Sequence, residues 1–251
     1  MGDGNSGCPS FVHLYGALAK GTVADIEAAI QKDLHPPKRS WLARLIHPSP
    51  KQAPISQSEA VIRLLEGPCR QEEKPLDYAV VAGNVEATKY LLEHGADPSA
   101  FNGSNTLYSR CETFLYSGSK LAMPIDGPKR LKAYELTIAF GGDVNRTDYL
   151  GRNALNLCYS IDFLQFLVEH GAVVRQGHID QAFADALGTE PGGYTARRLN
   201  ALARIRFFLD KGVRPSETIR ERLALDSCGH STLPTFAAIC PELRQLLQEA
   251  K

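Results

Sequence analysis

The chain has 251 residues, 43% hydrophobic and 22% charged, a soluble composition with enough apolar material for one extended domain or two compact ones. Lysine plus arginine and aspartate plus glutamate each total 28, so no global field gathers nucleic acid or anionic membrane, and nucleic-acid binding is set aside. No apolar run approaches the roughly 18 residues that span a bilayer, residues 1–10 lack the basic and apolar regions of a signal peptide, and six scattered cysteines without a C-x-x-C pair argue against a disulfide framework or a zinc ribbon.

Single thiols favour the cytoplasm; the periplasm is the alternative, reached if a signal peptide has been removed. Residues 1–10 read as a flexible, glycine-rich start. Gly2 and Ser6 fit the N-myristoylation pattern, with Cys8 placed for a second lipid. The acidic residue after Gly2 speaks against that lipidation.

Residues 11–37 predict two short helices. Leu14, Ala17 and Leu18 form the first stripe, Gly21 breaks it, and Val23, Ile26, Ala29 and Ile30 form the second. Residues 38–73 interrupt the pattern with two apolar clusters, one around Trp41 and one around Ile62, on either side of a proline-rich turn.

The clearest stretch is 74–99. Pro75 suits the first turn of a helix, Leu76, Ala79 and Val80 make its stripe, and Gly83 ends it. Asn84 caps a second helix carrying Val85, Thr88, Leu91 and Leu92, which Gly95 stops before Asp97, Pro98 and Ser99 turn the chain outward. This stretch closely resembles an ankyrin repeat. Residues 11–37 resemble a degenerate first copy, with Asp33 standing where Gly95 does.

Asn102 and Gly103 then predict a turn, and Asn105 to Tyr108 the start of a third repeat's first helix. Residues 111–128 read as an extension. The second helix follows with Leu131, Tyr134, Leu136, Ile138 and Ala139, closed by Gly141 and Gly142 ahead of Asp143 and Asn145. A fourth repeat runs from Gly151 to Ala172 with Phe163, Leu164, Phe166, Leu167 and Val168 as its core. A fifth spans Ile179 to Leu187 and Leu199 to Gly212, split by a glycine-rich loop with an insertion over 188–196. A last unit, a helix over 232–238 and another from Pro241 to Ala250, lacks a closing glycine and reads as a C-terminal cap.

The marker glycines 95, 141, 171 and 212 lie 46, 30 and 41 residues apart, against about 33 in an undecorated array. The expectation is therefore an all-α ankyrin-repeat solenoid of about five or six helix-turn-helix units, forming a single domain over 11–251 with insertions near 38–73, 111–128 and 188–196.

Few residues point to chemistry. Cys228 and His230 are the nearest approach to a thiol–imidazole pair, but neighbours on a turn give poor in-line geometry. His94 and His170 each precede a closing glycine, where a ring can bond the last helical carbonyls. Residues 188–193 lack the Gly-Lys-Ser/Thr of a phosphate loop, and Arg197, Arg198, Arg204, Arg206 and Lys211 read as a solvated basic helix face. The asparagines at 102 and 145 open glycosylation sequons, yet the turn explains both. No catalytic residue, metal site or cofactor is expected.

The resemblance implies a non-catalytic module that binds a protein partner through turn tips and the inner face of the first helices. Carried over residue by residue, it nominates Tyr78, Val81 and Tyr108 on inner helices, Phe101, Asn102, Arg146 and Tyr149 at tips, and Trp41 in the first insertion. It also implies a role: an immunity or inhibitor protein that neutralises a cognate bacterial toxin or secreted effector. The alternative is an adaptor or effector that recruits a eukaryotic host protein.

Overall fold

A helix that ends inside a packed protein must satisfy its last carbonyls, and this chain does so with one device used repeatedly. In the computed structural model, which describes residues 12–34, 74–99, 101–102, 105–106, 108, 127–187, 200–224 and 234–249, the glycines at 83, 95, 141, 171 and 212 all take positive φ, between 72° and 92°. At Gly95 the glycine N–H donates to Leu92 O at 3.1 Å and the next amide, Ala96, reaches back to Leu91 O at 3.0 Å. The same pair of bonds recurs at Gly83, Gly141, Gly171 and Gly212, the double closure that a left-handed residue permits. The four glycines that mark the repeats in the sequence are thus the four that close second helices.

The described residues divide into two compact units, 1–149 and 150–251. In the first, α1 (Val12–Lys20) pairs with α2 (Val23–Leu34), and α3 (Pro75–Ala82) with α4 (Val85–Glu93). First helix stacks on first and second on second, α1 against α3 and α2 against α4. Leu14, Leu18, Ile26, Leu76, Ala79, Val80 and Leu91 are buried between them, so the stripes read at spacings of three and four are the packed faces. Ala17, Val23 and Val85 are only half-buried. Asn84 does two jobs: its Oδ1 caps the Ala87 amide at 3.0 Å, and its Nδ2 donates to Gly21 O at 2.9 Å, stitching one hairpin turn to the next.

Beyond α4 the chain departs from expectation. Asn105 and Thr106 do not begin a helix; they form β2 (Asn105–Thr106), paired antiparallel with β1 (Phe101–Asn102) in the register Phe101 to Thr106 and Asn102 to Asn105. Backbone pairing between the two short strands takes precedence there over a helix start. Next comes α5 (Gly127–Ala139), packed on α3 and α4. Ala133 and Tyr134 are buried there, while Leu136 and Ile138 are half-buried and Ala139 is exposed.

In the second unit, α6 (Ala154–Leu157) pairs with α7 (Ile161–Glu169) and α8 (Gln176–Leu187) with α9 (Ala201–Asp210); α6 packs on α8 and α7 on α9. The helix α10 (Glu217–Ala224) is absent from the reading above, because Ile219 is its one buried side chain among the described ones. Nor is the last unit two helices. It is one, α11 (Pro234–Glu249), running through Pro241 and anchored by buried Leu243 and Leu246. Pro241 is exposed, and its missing N–H removes one bond from the helix ladder. Val168 is half-buried, whereas Phe163, Leu164, Phe166 and Leu167 are core.

Arg204 overturns the solvated-face reading. It is wholly buried: its Nη1 donates to Asp185 Oδ2 at 2.6 Å, and its Nη2 to Asn156 O at 3.0 Å and Leu155 O at 3.5 Å. One guanidinium therefore ties α9 to α8 and satisfies carbonyls at the end of α6. Arg206 does face out, where it pairs with Glu242, as does Lys211, 5.4 Å from the Phe207 ring centroid. Arg197 and Arg198 lie outside the described residues. The expectation of single thiols also needs correcting: buried Cys158 is disulfide-bonded. Sequence spacing does not report on the close Cα approach a disulfide needs.

Two stability measurements check these features. Gly95→Ala, with nothing near its new methyl, should cost about 1–2 kcal/mol through backbone strain alone. Arg204→Ala leaves the Asp185 carboxylate buried and uncompensated and should cost about 3–5 kcal/mol in urea unfolding, while Arg204→Met with Asp185→Leu should recover most of it.

Candidate functional site

The tips of the first unit are built twice from the same atoms. Asp97 Oδ1 accepts from the Ser99 amide and Asp143 Oδ1 from the Asn145 amide, both at 2.8 Å, each a side chain closing its own turn. The Ser99 hydroxyl then accepts from the Asp143 amide at 2.9 Å, joining one tip to the next. Val144 and Asp148 turn inward and are buried; Arg146 and Tyr149 stand outward, Tyr149 at 70% exposure. Tips already ordered by their own hydrogen bonds lose little freedom when a partner docks.

Of the nominated contact residues, three are core. Tyr78 is 6% exposed and meets Tyr15 of α1 edge-on at 5.2 Å, and Val81 is 1% exposed. Tyr108 is buried as well: its hydroxyl donates to Thr137 Oγ1 at 3.0 Å, and Thr137 in turn donates to Tyr134 O at 2.7 Å. Burial above all pushes the Tyr108 phenol up to about 12. A Cβ on Gly142 would collide with that hydroxyl, so of the glycine pair the first serves conformation and the second serves space. These inner positions are occupied by adjacent helices rather than left for a partner. Phe101 and Asn102 form β1, but their side chains, like Trp41, lie outside the described ones; so do Cys228, His230 and residues 188–193. Arg146 and Tyr149 remain as an adjoining exposed pair.

Sequence reasoning missed a second feature of the first unit, a groove of about 790 Å³ lined by the α1–α2 turn, the α3–α4 turn, and Lys129 and Lys132 of α5. It draws on residues more than a hundred positions apart. Only the three-residue spacing of the two α5 lysines was open to a sequence pattern.

The buried polar groups of the second unit are committed to structure. His178 sits in the first turn of α8, and its Nδ1 accepts from the Arg175 amide at 2.9 Å, the part a glutamate plays in a capping box. Its ring faces Phe208 at 5.9 Å. Burial, with the charges of Arg175 and Arg204, holds its pKa down at about 4. His94 and His170 behave as expected: each Nδ1 donates to the carbonyl four residues back, Tyr90 and Phe166 respectively, at 2.7 Å. Each ring also lies on that aromatic side chain, at 4.1 and 4.2 Å between centroids.

Residues 73–103 match the ankyrin-repeat family model. That stretch is an ankyrin repeat. The match covers α3, α4 and the Asp97–Ser99 tip, and ankyrin repeats are protein–protein interaction modules. Among the described residues no helix is long and apolar enough to cross a membrane, and no three metal-ligating side chains gather.

His178 carries a pH signature. Between its unfolded value of 6.5 and its folded value of about 4, the unfolded chain binds the extra proton, so stability falls as pH drops through that window and is unaffected above it. The full effect is about 3 kcal/mol. Urea midpoints from pH 7.5 to 4.5 should fall more steeply for the native chain than for His178→Gln, which keeps an acceptor and loses the titration.

Proposed function

We propose that this protein is a non-catalytic binder of a single protein partner, a cognate secreted toxin or effector that it neutralises by covering it. The observation that carries the binding surface is Tyr149, exposed at 70% beside Arg146 on a tip fixed from within. Exposed aromatic and guanidinium groups are the types that dominate binding energy, each worth about 2 kcal/mol when an interface buries it. The Cys158 disulfide supports the compartment: such bonds persist where the surroundings are oxidising, as in the periplasm, where secreted toxins are met.

Co-expression with the products of adjacent genes tests this directly. A stable one-to-one complex and loss of toxicity are expected, and Tyr149→Ala or Arg146→Ala should each weaken the complex by about 2 kcal/mol, or roughly thirtyfold, without lowering the melting temperature. Failure of both neighbours to form a complex overturns the toxin reading. For the compartment, the denatured, unreduced protein should expose two fewer reactive thiols than its six cysteines; six reactive thiols would remove the argument.

A further inference from the structure

The groove of the first unit is unevenly charged. Lys20, Lys129 and Lys132 are exposed on its walls, against the single carboxylate of Glu86. Both helix starts there carry a side-chain cap. Thr22 donates to Asp25 Oδ2 from both its amide and its hydroxyl at 2.8 Å, holding the Asp25 carboxyl below its usual range, and Asp25 N–H returns a bond to Thr22 Oγ1 at 3.3 Å. Asn84 caps α4 and bridges to Gly21. The full positive charges that face an anion there are the ammonium groups, and neither Lys20 nor Lys132 makes an ion pair among the described residues. In a chain with equal numbers of acidic and basic residues, this local excess is a matter of placement. Ala19, Gly21, Ala82 and Gly83 keep the floor low, and a Cβ on Gly83 would press on the Arg130 amide at 3.1 Å.

We propose that this groove docks an acidic peptide segment of the protein partner. The inference rests on the reading of the chain as a protein binder and names a second surface for it, at the end of α4 opposite the Asp97 tip, about 13 Å along a nine-residue helix. The lysines come from two elements, and those on α5 are one turn apart, so positive charge is spread along the groove. A run of carboxylates matches that spread better than one compact anion does. Lysine suits the role, since its ammonium is a flexible point charge that follows a mobile chain.

The probe is a fluorescein-labelled peptide of six glutamates alternating with glycine, titrated against the full chain by fluorescence anisotropy. Saturable binding that weakens with added salt is expected. The combined Lys20→Glu, Lys129→Glu and Lys132→Glu variant should lose at least about tenfold in affinity, and Glu86→Gln should gain severalfold, a gain that misfolding cannot produce. Tyr149→Ala should leave peptide binding unchanged. Absent or salt-insensitive binding, equal binding by the lysine variant, or full competition by equimolar pyrophosphate would each overturn the proposal. A partner complex that needs Tyr149 but tolerates the lysine variant would sink the groove and leave the binder reading intact; loss of every partner complex would sink the binder reading whatever the peptide does.

Discussion

A helix of two or three turns ends almost as soon as it begins, and its last carbonyls need partners before water is excluded. That constraint shapes the whole chain. The second helices α4, α5, α7 and α9 each close on a glycine with positive φ whose N–H, with the one after it, turns back onto carbonyls of the last turn. Such a closure fixes the direction in which the chain leaves the helix, and so where the next tip begins. The Asp97 and Asp143 turns follow their glycines at the same interval and fold the same way, and the bond from Ser99 to the following tip depends on that equivalence.

The two units use different adhesives. The first is held by apolar stripes, a tyrosine pair and one asparagine that bridges adjacent turns. The second places a charge in its interior: Arg204 meets Asp185 and two carbonyls, with Gln181 donating to Asp185 at 3.1 Å. Desolvating two ions costs several kcal/mol each, so a pair of this kind contributes little net stability. What it does is make each member indispensable to the other, and it fixes the register of α8 against α9, since a slip by one residue would bury both charges unmatched.

Glycine punctuation, the Asn84 cap and the stripes of α3, α4 and α7 were legible in the sequence because each follows from local geometry. Arg204 was legible too, had the helical angle been weighed: it shares the buried stripe of Ala201, Ile205 and Phe208, whereas Arg206, two positions on, points nearly the other way. Asp185 likewise falls in line with Ala182 and Ala186. Tyr78 and Tyr108 looked like contact residues because an exposed and a covered first-helix face read alike until the neighbouring helix is in place. The groove joins Lys20 to Lys132, a juxtaposition that only tertiary structure creates. Of the tip residues that the resemblance nominated, Arg146 and Tyr149 are exposed.

The paired histidines at the helix ends have a consequence of another kind. A carbonyl can only accept, so the Nδ1 of His94 and of His170 must carry hydrogen, and a neutral ring at either place is held in the less common tautomer with its Nε2 lone pair unprotonated. Each ring also lies within the ring-current field of Tyr90 or Phe166. One such imidazole belongs to each compact unit. Their nitrogen resonances would form a matched pair of internal probes, able to show whether the two halves of the chain lose their order together or one before the other.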